Sequence, residues 1–233
     1  MATTAAVFGS TGLVGGEILS TLLALDACKT VYTISRRAPK AESPKLSAVV
    51  EPDSTKWTST LKSLSPFPSA VFSAIGTTRL QAGGIQNQWK IDHDLNVEIA
   101  KAARASGAQT FVFVSSAGTR GLLASQVPYS QMKRGVEDAV RDLDFEQAIV
   151  LRPGLLLGKR EVERAGETVF ATLFRGLGRL SQAAQDMFAQ DADVIARAAV
   201  AATQIAAEGK APAKYWVLEA SDIIRLGREE WKA

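Results

Sequence analysis

The chain has 233 residues, of which 46% are hydrophobic and 22% are charged, as in an ordinary globular protein. Its formal net charge of +3 is modest and no long block of like charges occurs, so we expect no nucleic-acid partner. One cysteine and one histidine exclude internal disulfides and leave Cys- or His-based metal sites without ligands, so we expect no metal. No apolar run is long enough to span a bilayer, and a first strand near residue 5 leaves no room for a targeting peptide. These features predict a cytoplasmic protein of a reducing compartment.

Short apolar runs alternate with helix-like segments along the whole chain. The predicted strands are Ala5–Phe8, Thr30–Ser35, Leu46–Glu51, Ala70–Ala74, Thr110–Ser115, Ala148–Arg152 and Tyr215–Glu219. The predicted helices span residues 13–25, 55–64, 88–106, 129–143, 168–180 and 191–208. This alternation predicts a parallel sheet covered by helices on both faces. We therefore expect a single α/β domain over residues 1–233, a Rossmann-type doubly wound parallel sheet, with residues 155–190 as a small C-terminal appendage on the substrate side.

The first strand runs without a break into a glycine-rich turn at residues 9–15, which leads into an apolar-periodic helix. Gly9 permits the tight turn, Gly12 lets the backbone approach a pyrophosphate, and Gly15 lets the helix pack closely on the sheet. The free N–H groups and the positive dipole end of that helix then face the phosphates. We expect the following residues of this turn to contact a dinucleotide: Gly9, Ser10, Thr11, Gly12, Leu13 and Val14.

The second strand ends in Arg36 and Arg37, where a site built for NAD carries an acidic residue. Guanidinium groups grip a 2′-phosphate that a carboxylate repels, so the pair predicts NADP(H), although a solvated basic pair is the alternative. Asp53, just past the third strand, either lies along the adenine or caps the helix beginning near Thr55.

Two further segments follow strands and are expected to pass beside the nicotinamide end of the cofactor. The small residues after the fourth strand, Ala74, Ile75, Gly76 and Thr77, would let the backbone run past the ribose. Pro153 and Gly154 follow the sixth strand and would pass the amide, or else only punctuate the loop.

The candidate catalytic group consists of Ser116, Tyr129 and Lys133. Tyr129 and Lys133 are four residues apart on one helix and therefore share a face. An unperturbed tyrosine phenol has a pKa of about 10, and a nearby ammonium lowers this pKa enough for proton transfer. The same lysine can hold the nicotinamide ribose, so we expect Tyr129 and Lys133 to contact the cofactor as well. A serine at the end of the fifth strand polarises the carbonyl; Ser116 is preferred and Ser115 is the fallback. The alternative is a surface tyrosine with a snorkelling lysine, and the lone His93 is expected to be structural.

These segments together resemble a known family: GSTGLVGGEIL, TISRR, FSAIGTTR, WKIDHDLNVE, FVFVSSAG, YSQMKRGVE, VLRPG and YWVLEASDI. The sequence resembles the atypical short-chain dehydrogenase/reductases, in particular the Tat-interacting-protein oxidoreductase branch and its fungal members assigned to the mitochondrial outer membrane. The resemblance implies a Rossmann fold, NADP(H), and Ser116, Tyr129 and Lys133 as the catalytic set. It also implies peripheral association with the cytosolic face of that membrane.

One departure from the resemblance concerns residues 119–127, which form a longer and more apolar loop than the family's usual polar one. Because this loop runs from the serine to the tyrosine, it should border the substrate, which puts any inherited substrate in doubt. We expect an oxidoreductase acting on a small carbonyl or alcohol substrate, as a monomer or homodimer. The alternatives are an NADP(H)-binding regulatory protein without turnover and a cofactor-retaining isomerase or cyclase of specialised metabolism.

Overall fold

A computed structural model of the protein describes residues 3–121, 124–157 and 188–232. Its strands are β1 (Thr3–Phe8), β2 (Cys28–Ser35), β3 (Leu46–Val50), β4 (Ala70–Ser73), β5 (Thr110–Val114), β6 (Gln147–Leu151), β7 (Leu155–Leu157), β8 (Ala189–Asp191) and β9 (Tyr215–Leu218). One seven-stranded parallel sheet has the order β3-β2-β1-β4-β5-β6-β9, and β7 pairs with β8 separately. The strand order reverses direction between β1 and β4, and ligands bind at such a switch point in open α/β sheets.

The helices of the described residues are α1 (Leu13–Ala24), α2 (Trp57–Lys62), α3 (Arg79–Ala82), α4 (Ile85–Trp89), α5 (Leu95–Ala105), α6 (Pro128–Asp142), α7 (Ala192–Ala207) and α8 (Ala220–Ile224). Short 3₁₀ turns occupy Ser54–Lys56 and Ala124–Gln126. A π-helical turn, Lys90–Asp94, joins α4 to α5, and another, Arg225–Glu229, follows α8. None of the described helices is long and apolar enough to cross a membrane.

The sheet is buried between two hydrophobic clusters, one on each face. Ile18 of α1 and Ile195 of α7 belong to the cluster on one face. Leu61 of α2, Ile99 of α5 and Val136 of α6 belong to the cluster on the other. Strands covered on both faces read as continuous apolar runs, which is why they could be predicted. The doubly wound parallel sheet is therefore confirmed.

The secondary structure differs from the sequence prediction in several places, and the short helices α3 and α8 were not predicted. The helix expected over residues 88–106 begins earlier and is interrupted by the π turn Lys90–Asp94. Asn96, at the start of α5, donates to the carbonyls of Ile91 and Asp92 in that turn, at 3.1 Å each, and accepts a hydrogen bond from Ser73 at 2.6 Å. This anchoring of the turn to the end of β4 has no signature in helical periodicity.

The appendage expected at residues 155–190 contains two three-residue strands that were not predicted, β7 and β8, paired in parallel with Leu155 opposite Ala189. Three residues carry too short a pattern for the period of a strand to be recognised. The helix predicted at 168–180 lies outside the described residues.

Candidate active site

The glycine turn, residues 9–15, packs against the backbone that follows β4. Gly9 has φ +80°, and a Cβ built on it would lie 2.7 Å from the carbonyl oxygen of Ala74. A Cβ at Gly15 would lie 2.1 Å from the carbonyl oxygen of Gly9, so α1 approaches the turn as closely as a glycine allows. Gly12 is less constrained, because its Cβ would lie 3.1 Å from that same oxygen. Gly9 and Gly15 are thus required by the packing of the turn itself.

The amino end of α1 has the chemistry of an anion site. Its N-cap is Gly12, which provides no side-chain cap, and no acidic residue lies in the first turn of the helix, which begins with Leu13 and Val14. The Ser10 hydroxyl is buried and has no hydrogen-bond partner in the described part of the chain. Thr11, between Ser10 and Gly12, is half-buried. Uncapped N–H groups at a helix dipole suit phosphate oxygens, so this end of α1 fits a dinucleotide.

Arg36 and Arg37 are exposed at the end of β2, two strands from the switch point. The hydroxyl of Ser35 donates to the carbonyl of Arg37 at 2.8 Å and so holds the backbone of this corner. Asp53 caps the 3₁₀ turn after β3: its Oδ1 accepts from the Thr55 amide at 3.0 Å and from the Thr55 hydroxyl at 2.7 Å. These hydrogen bonds lower the pKa of Asp53. Of its two predicted roles, capping is the one that the observed contacts satisfy.

The segment after β4 lies between β1 and the π turn. The amide of Ala74 donates to Phe8 of β1 at 3.1 Å, which continues the sheet past the last residue of β4. The amide of Thr77 donates to Oδ1 of the fully buried Asp92 at 2.7 Å, and Gln88 donates to Oδ2 at 3.1 Å. Gly76 lies between two charged groups, because its Cβ would be 3.6 Å from Asp92 Oδ1 and 3.9 Å from Lys133 Nζ.

Lys133 is a buried cation at the junction of β4 and β5. Its Nζ donates to the carbonyls of Val114 at 3.1 Å and Ile75 at 3.4 Å, and lies 4.8 Å from the centre of the Phe113 ring. Burial lowers the pKa of Lys133, and the negative charges of Asp92 and Glu137 act in the opposite direction. The ammonium is therefore held where the loops after β4 and β5 meet, near the switch point of the sheet.

Tyr129 and Ser116 lie at the same edge of the sheet as Lys133. Tyr129 is in the first turn of α6, one turn before Lys133, and its side chain is 38% exposed. Among the residues that the structure describes, the half-buried Ser116 has one long contact, from its hydroxyl to the Ala117 carbonyl at 3.4 Å. Ser115 is buried, and its hydroxyl donates to Glu137 Oε1 at 2.6 Å. Because Ser115 is committed to that carboxylate, Ser116 is the serine better placed to meet a substrate.

Glu137 is a fully buried carboxylate that the sequence analysis missed. It accepts hydrogen bonds from the loop after β5 and from the residue after β6. The donors are Ser115 at 2.6 Å, Thr119 and Arg120 at 3.2 Å each, and Arg152 at 3.1 and 2.6 Å. Glu137 lies four residues after Lys133 and eight after Tyr129, so a continuation of the same helix face was the available signal.

The charge of Glu137 is stabilised where it lies. Burial by itself raises the pKa of Glu137, but hydrogen bonds from Arg152 and Ser115, with the charges of Arg152 and Arg120, lower it below its usual value. Arg152 in turn donates to Glu219 at 2.8 Å, and its pKa is raised by hydrogen bonding to Glu137. The arginine of the Arg-Pro-Gly segment therefore holds this network together.

Pro153 and Gly154 form the turn between β6 and β7. The carbonyl of Pro153 accepts from the amide of Ala117 at 2.7 Å, which joins this turn to the loop carrying Ser116. The amide of Gly154 donates to the buried Gln190 at 2.7 Å, and a Cβ here would lie 2.3 Å from the Phe188 carbonyl oxygen. Gly154 is therefore required because the chain entering β8 passes close to it. Its role is more than that of a residue that ends a strand.

His93 packs between the π turn and α6. Its Nδ1 lies 2.8 Å from Asp94, and its ring lies 5.1 Å from the ring of Trp89. A Cβ on Gly135 of α6 would lie 2.6 Å from His93 Nε2, so the imidazole fills the contact between the π turn and α6. This packing agrees with the structural role predicted for His93.

Comparison with known proteins identifies the class. Residues 5–184 match the NAD dependent epimerase/dehydratase family, to which the chain therefore belongs. The chain is similar to "Protein fmp52-2, mitochondrial" of Aspergillus oryzae, with 62% identity over 230 residues that cover 99% of each chain.

Solved structures share the fold at low sequence identity. The Bordetella bronchiseptica enzyme WbmH in complex with NAD+ has a TM-score of 0.65 at 16% identity, covering 99% of this chain and 94% of that one. A UDP-galactose 4-epimerase has a TM-score of 0.67 at 17% identity, covering 93% of this chain and 76% of that one. At this low sequence identity, the similarity shows a shared Rossmann fold and nothing further.

Proposed function

We propose that the chain is an NADP(H)-dependent oxidoreductase that reduces a carbonyl group or oxidises an alcohol, in the Tat-interacting-protein branch of the atypical short-chain dehydrogenase/reductases. The observation that carries this proposal is the position of Lys133. Its buried ammonium lies where β4 and β5 end, one helical turn from Tyr129 and beside the loop that bears Ser116. A cation is costly to bury. The carboxylates of Asp92 and Glu137 stabilise the charge of Lys133, which favours a functional rather than an incidental position.

Each residue of the proposed set has a role that its chemistry supports. Tyr129 donates a proton to the carbonyl oxygen during reduction, and Lys133 stabilises the phenolate that this leaves. The hydroxyl of Ser116 donates a hydrogen bond to the same oxygen and orients it. When bound, the nicotinamide cofactor supplies or accepts the hydride. The glycine turn, the uncapped amino end of α1 and the segment after β4 would hold it.

The choice of NADP(H) over NAD(H) rests on Arg36 and Arg37. Calorimetric titration with NADPH, NADP⁺ and NADH is the direct test, and we expect a clear preference for the phosphorylated forms. The double variant Arg36→Ala, Arg37→Ala should weaken NADPH binding by roughly 10- to 100-fold, the value of charge-assisted hydrogen bonds, and leave NADH binding nearly unchanged. Lys62→Ala, an exposed cation on α2, is the matched control. Equal losses for both cofactors would contradict the phosphate clamp.

Turnover is tested with Tyr129→Phe. If Tyr129 transfers the proton, kcat for carbonyl reduction should fall by about 10² to 10⁴-fold while the dissociation constant for NADPH stays within about twofold. A variant that keeps full biological activity in cells would instead favour the regulatory alternative, a binding protein that uses NADP(H) as a ligand.

A second candidate is favoured by the family itself, whose description includes epimerases. A cofactor-retaining isomerase or cyclase would use Ser116 and Tyr129 to polarise its substrate and would regenerate the cofactor in each cycle. Product formation without net consumption of NADPH would identify it. Stoichiometric consumption would identify the oxidoreductase.

The localisation that we propose is peripheral, on the cytosolic face of the mitochondrial outer membrane. It is supported by the name of the A. oryzae relative, which describes that protein as mitochondrial. Protease protection and carbonate extraction of purified mitochondria test it: full protection inside intact organelles would contradict the proposal. We also propose one domain over residues 1–233 acting as a monomer or homodimer without nucleic acid, which light scattering and limited proteolysis test.

A further inference from the structure

The hydroxyls of Ser115 and Thr119 meet on a single oxygen atom of Glu137. Ser115 donates to Oε1 at 2.6 Å, and Thr119 donates to the same atom at 3.2 Å. These three side chains are buried, whereas Ser116 is half-buried. Residues 115–119 therefore form a short loop whose two ends are joined through one carboxylate, and the candidate catalytic serine lies inside it. We call these five residues the serine loop.

The same carboxylate also reaches the backbone that supports the serine loop. The amide of Ala117, the residue after Ser116, donates to the carbonyl of Pro153 at 2.7 Å. Arg152 immediately precedes Pro153 and donates to both oxygens of Glu137, at 3.1 and 2.6 Å. The negative charge strengthens each of these hydrogen bonds. Glu137 thus holds the serine loop directly at its two ends and indirectly, through Arg152, at its middle.

Glu137 belongs to the helix that carries the other two candidate catalytic residues. Tyr129, Lys133 and Glu137 recur every four residues along α6 and so lie on one face of it. A loop that is bound to Glu137 therefore keeps a fixed position relative to the phenol of Tyr129. Such precision matters, because a displacement of about 1 Å in a group that orients a substrate can cost about 10²-fold in rate.

We propose that Glu137 is a positioning residue for the proposed reaction. Through Ser115 and Thr119 it holds the serine loop against α6. The hydroxyl of Ser116 is thereby kept where it and the phenol of Tyr129 can meet one carbonyl oxygen. This inference rests on the proposed function, because it assigns a role in that reaction. A residue that only stabilised the fold would affect the rate in the same way whether or not Ser116 were present.

Thr119→Val tests the positioning without changing any charge. It removes one hydroxyl donor from Glu137 and nearly preserves the side-chain volume, so the electrostatic effect of Glu137 on Lys133 is kept. With NADPH and the carbonyl compound reduced fastest from a panel of aliphatic and aromatic aldehydes and ketones, kcat should fall about 5- to 20-fold. The dissociation constant for NADPH should stay within about twofold.

Two matched variants accompany Thr119→Val. Thr119→Ser restores the hydroxyl and should return kcat to within about threefold of the wild-type value. Thr203→Val is the control, because Thr203 is also buried and its hydroxyl donates to the Ala199 carbonyl at 2.9 Å within α7. It should leave kcat within about twofold of the wild-type value. Thermal melts set an assay temperature at which every variant is folded. A kcat for Thr119→Val equal to that of Thr203→Val would overturn the inference.

A double-mutant cycle with Ser116→Ala distinguishes positioning from stability. In the Ser116→Ala background, Thr119→Val should lower kcat by less than about twofold, because its effect passes through the missing hydroxyl. Ser115→Ala should likewise lose its effect in that background. Losses that multiply would overturn the inference. A Ser115→Ala loss that persists without Ser116 would assign the substrate contact to Ser115 and would also overturn it.

Glu137→Gln tests the carboxylate itself. It weakens the hydrogen bonds from all of the donors at once, so kcat should fall about 10- to 100-fold. Ser116→Ala should remove most of that loss, and the remainder measures the charge of Glu137 acting on Lys133. An undiminished loss in the Ser116→Ala background would show that Glu137 acts on the rate through charge alone and would overturn the inference.

Hydrogen exchange keeps this inference separate from the proposed function. Deuterium uptake by the amides of residues 115–119 reports the hold on the serine loop without any substrate. Thr119→Val should speed this uptake about fivefold, the value of one hydrogen bond, and Thr203→Val should not. Absence of turnover with every carbonyl compound, together with faster uptake, would contradict the oxidoreductase proposal and support the hold of Glu137 on the loop. Unchanged uptake in Thr119→Val and Glu137→Gln would overturn the inference whether or not turnover is observed.

Discussion

Glu137→Ala is the substitution with the largest effect that the structure predicts. The carboxylate is fully buried and accepts hydrogen bonds from Ser115, Thr119, Arg120 and Arg152. Its closest cationic partner, Arg152, has a side chain only 13% exposed, so truncation would leave that guanidinium largely buried without its main counter-charge. Removing one partner of a buried pair costs about 3–5 kcal/mol. The loss of the pair with Arg120, whose side chain is 37% exposed, should add little to this free-energy cost.

Glu137→Gln separates charge from volume. It keeps the shape of the side chain and one acceptor oxygen but loses the charge-assisted hydrogen bonds, so its cost should be about 1.5–3 kcal/mol. Glu98→Ala is the control, because Glu98 pairs with Lys101 on the surface of α5 with both side chains more than half exposed. An exposed pair of this kind contributes about 0–1 kcal/mol.

Urea unfolding monitored by circular dichroism measures these costs, provided that the slope m stays the same among the variants. The pH dependence is a second check. Because the folded pKa of Glu137 lies below its usual value of 4.5, its contribution is fully present above that pH and is lost as the pH falls through the lower, folded pKa. Glu137→Gln should remove that acid-side loss. A Glu137→Ala cost within 1 kcal/mol, roughly, of the Glu98→Ala cost would refute the reasoning.

Three further predictions follow from single contacts. Gly15→Ala should cost at least about 1–3 kcal/mol in a thermal melt and weaken NADPH binding, because its Cβ would lie 2.1 Å from a backbone oxygen of the glycine turn. The control Gly16→Ala, whose Cβ would have its nearest contact at 3.4 Å, should be neutral or stabilising in the same melt. Lys45→Met should cost about 1–2 kcal/mol in urea unfolding, because Nζ donates to two carbonyls at the end of α1, and no loss would contradict that cap. Asp92→Asn removes a negative charge that raises the pKa of Lys133, so the alkaline limb of the pH profile of kcat/KM should move to lower pH. A limb that stays in place would exclude an electrostatic role of Asp92 toward Lys133.

The sheet could be predicted from sequence because its strands are local patterns. Strands buried on both faces read as continuous apolar runs, such as Phe111–Val114, and each is separated from the next by a segment of helical period. The glycine turn and the spacing of Tyr129 and Lys133 are likewise local, since a turn and one helical step are defined within a few residues. Their participation in cofactor binding and catalysis remains a prediction.

Only the tertiary structure decided which polar groups meet. The hydrogen bonds to Glu137 come from residues 15 to 22 positions away, in the segments that follow β5 and β6, and no periodicity connects them. The same is true of the π turn that brings Asp92 to the amide of Thr77, and of the pairing of β7 with β8. Apolar burial is non-directional and leaves a repeating pattern in the chain, whereas a buried polar contact depends on where two distant segments place single atoms. The sequence alone therefore determined the architecture and the chemical types at the site, and the fold determined the electrostatic surroundings of those groups.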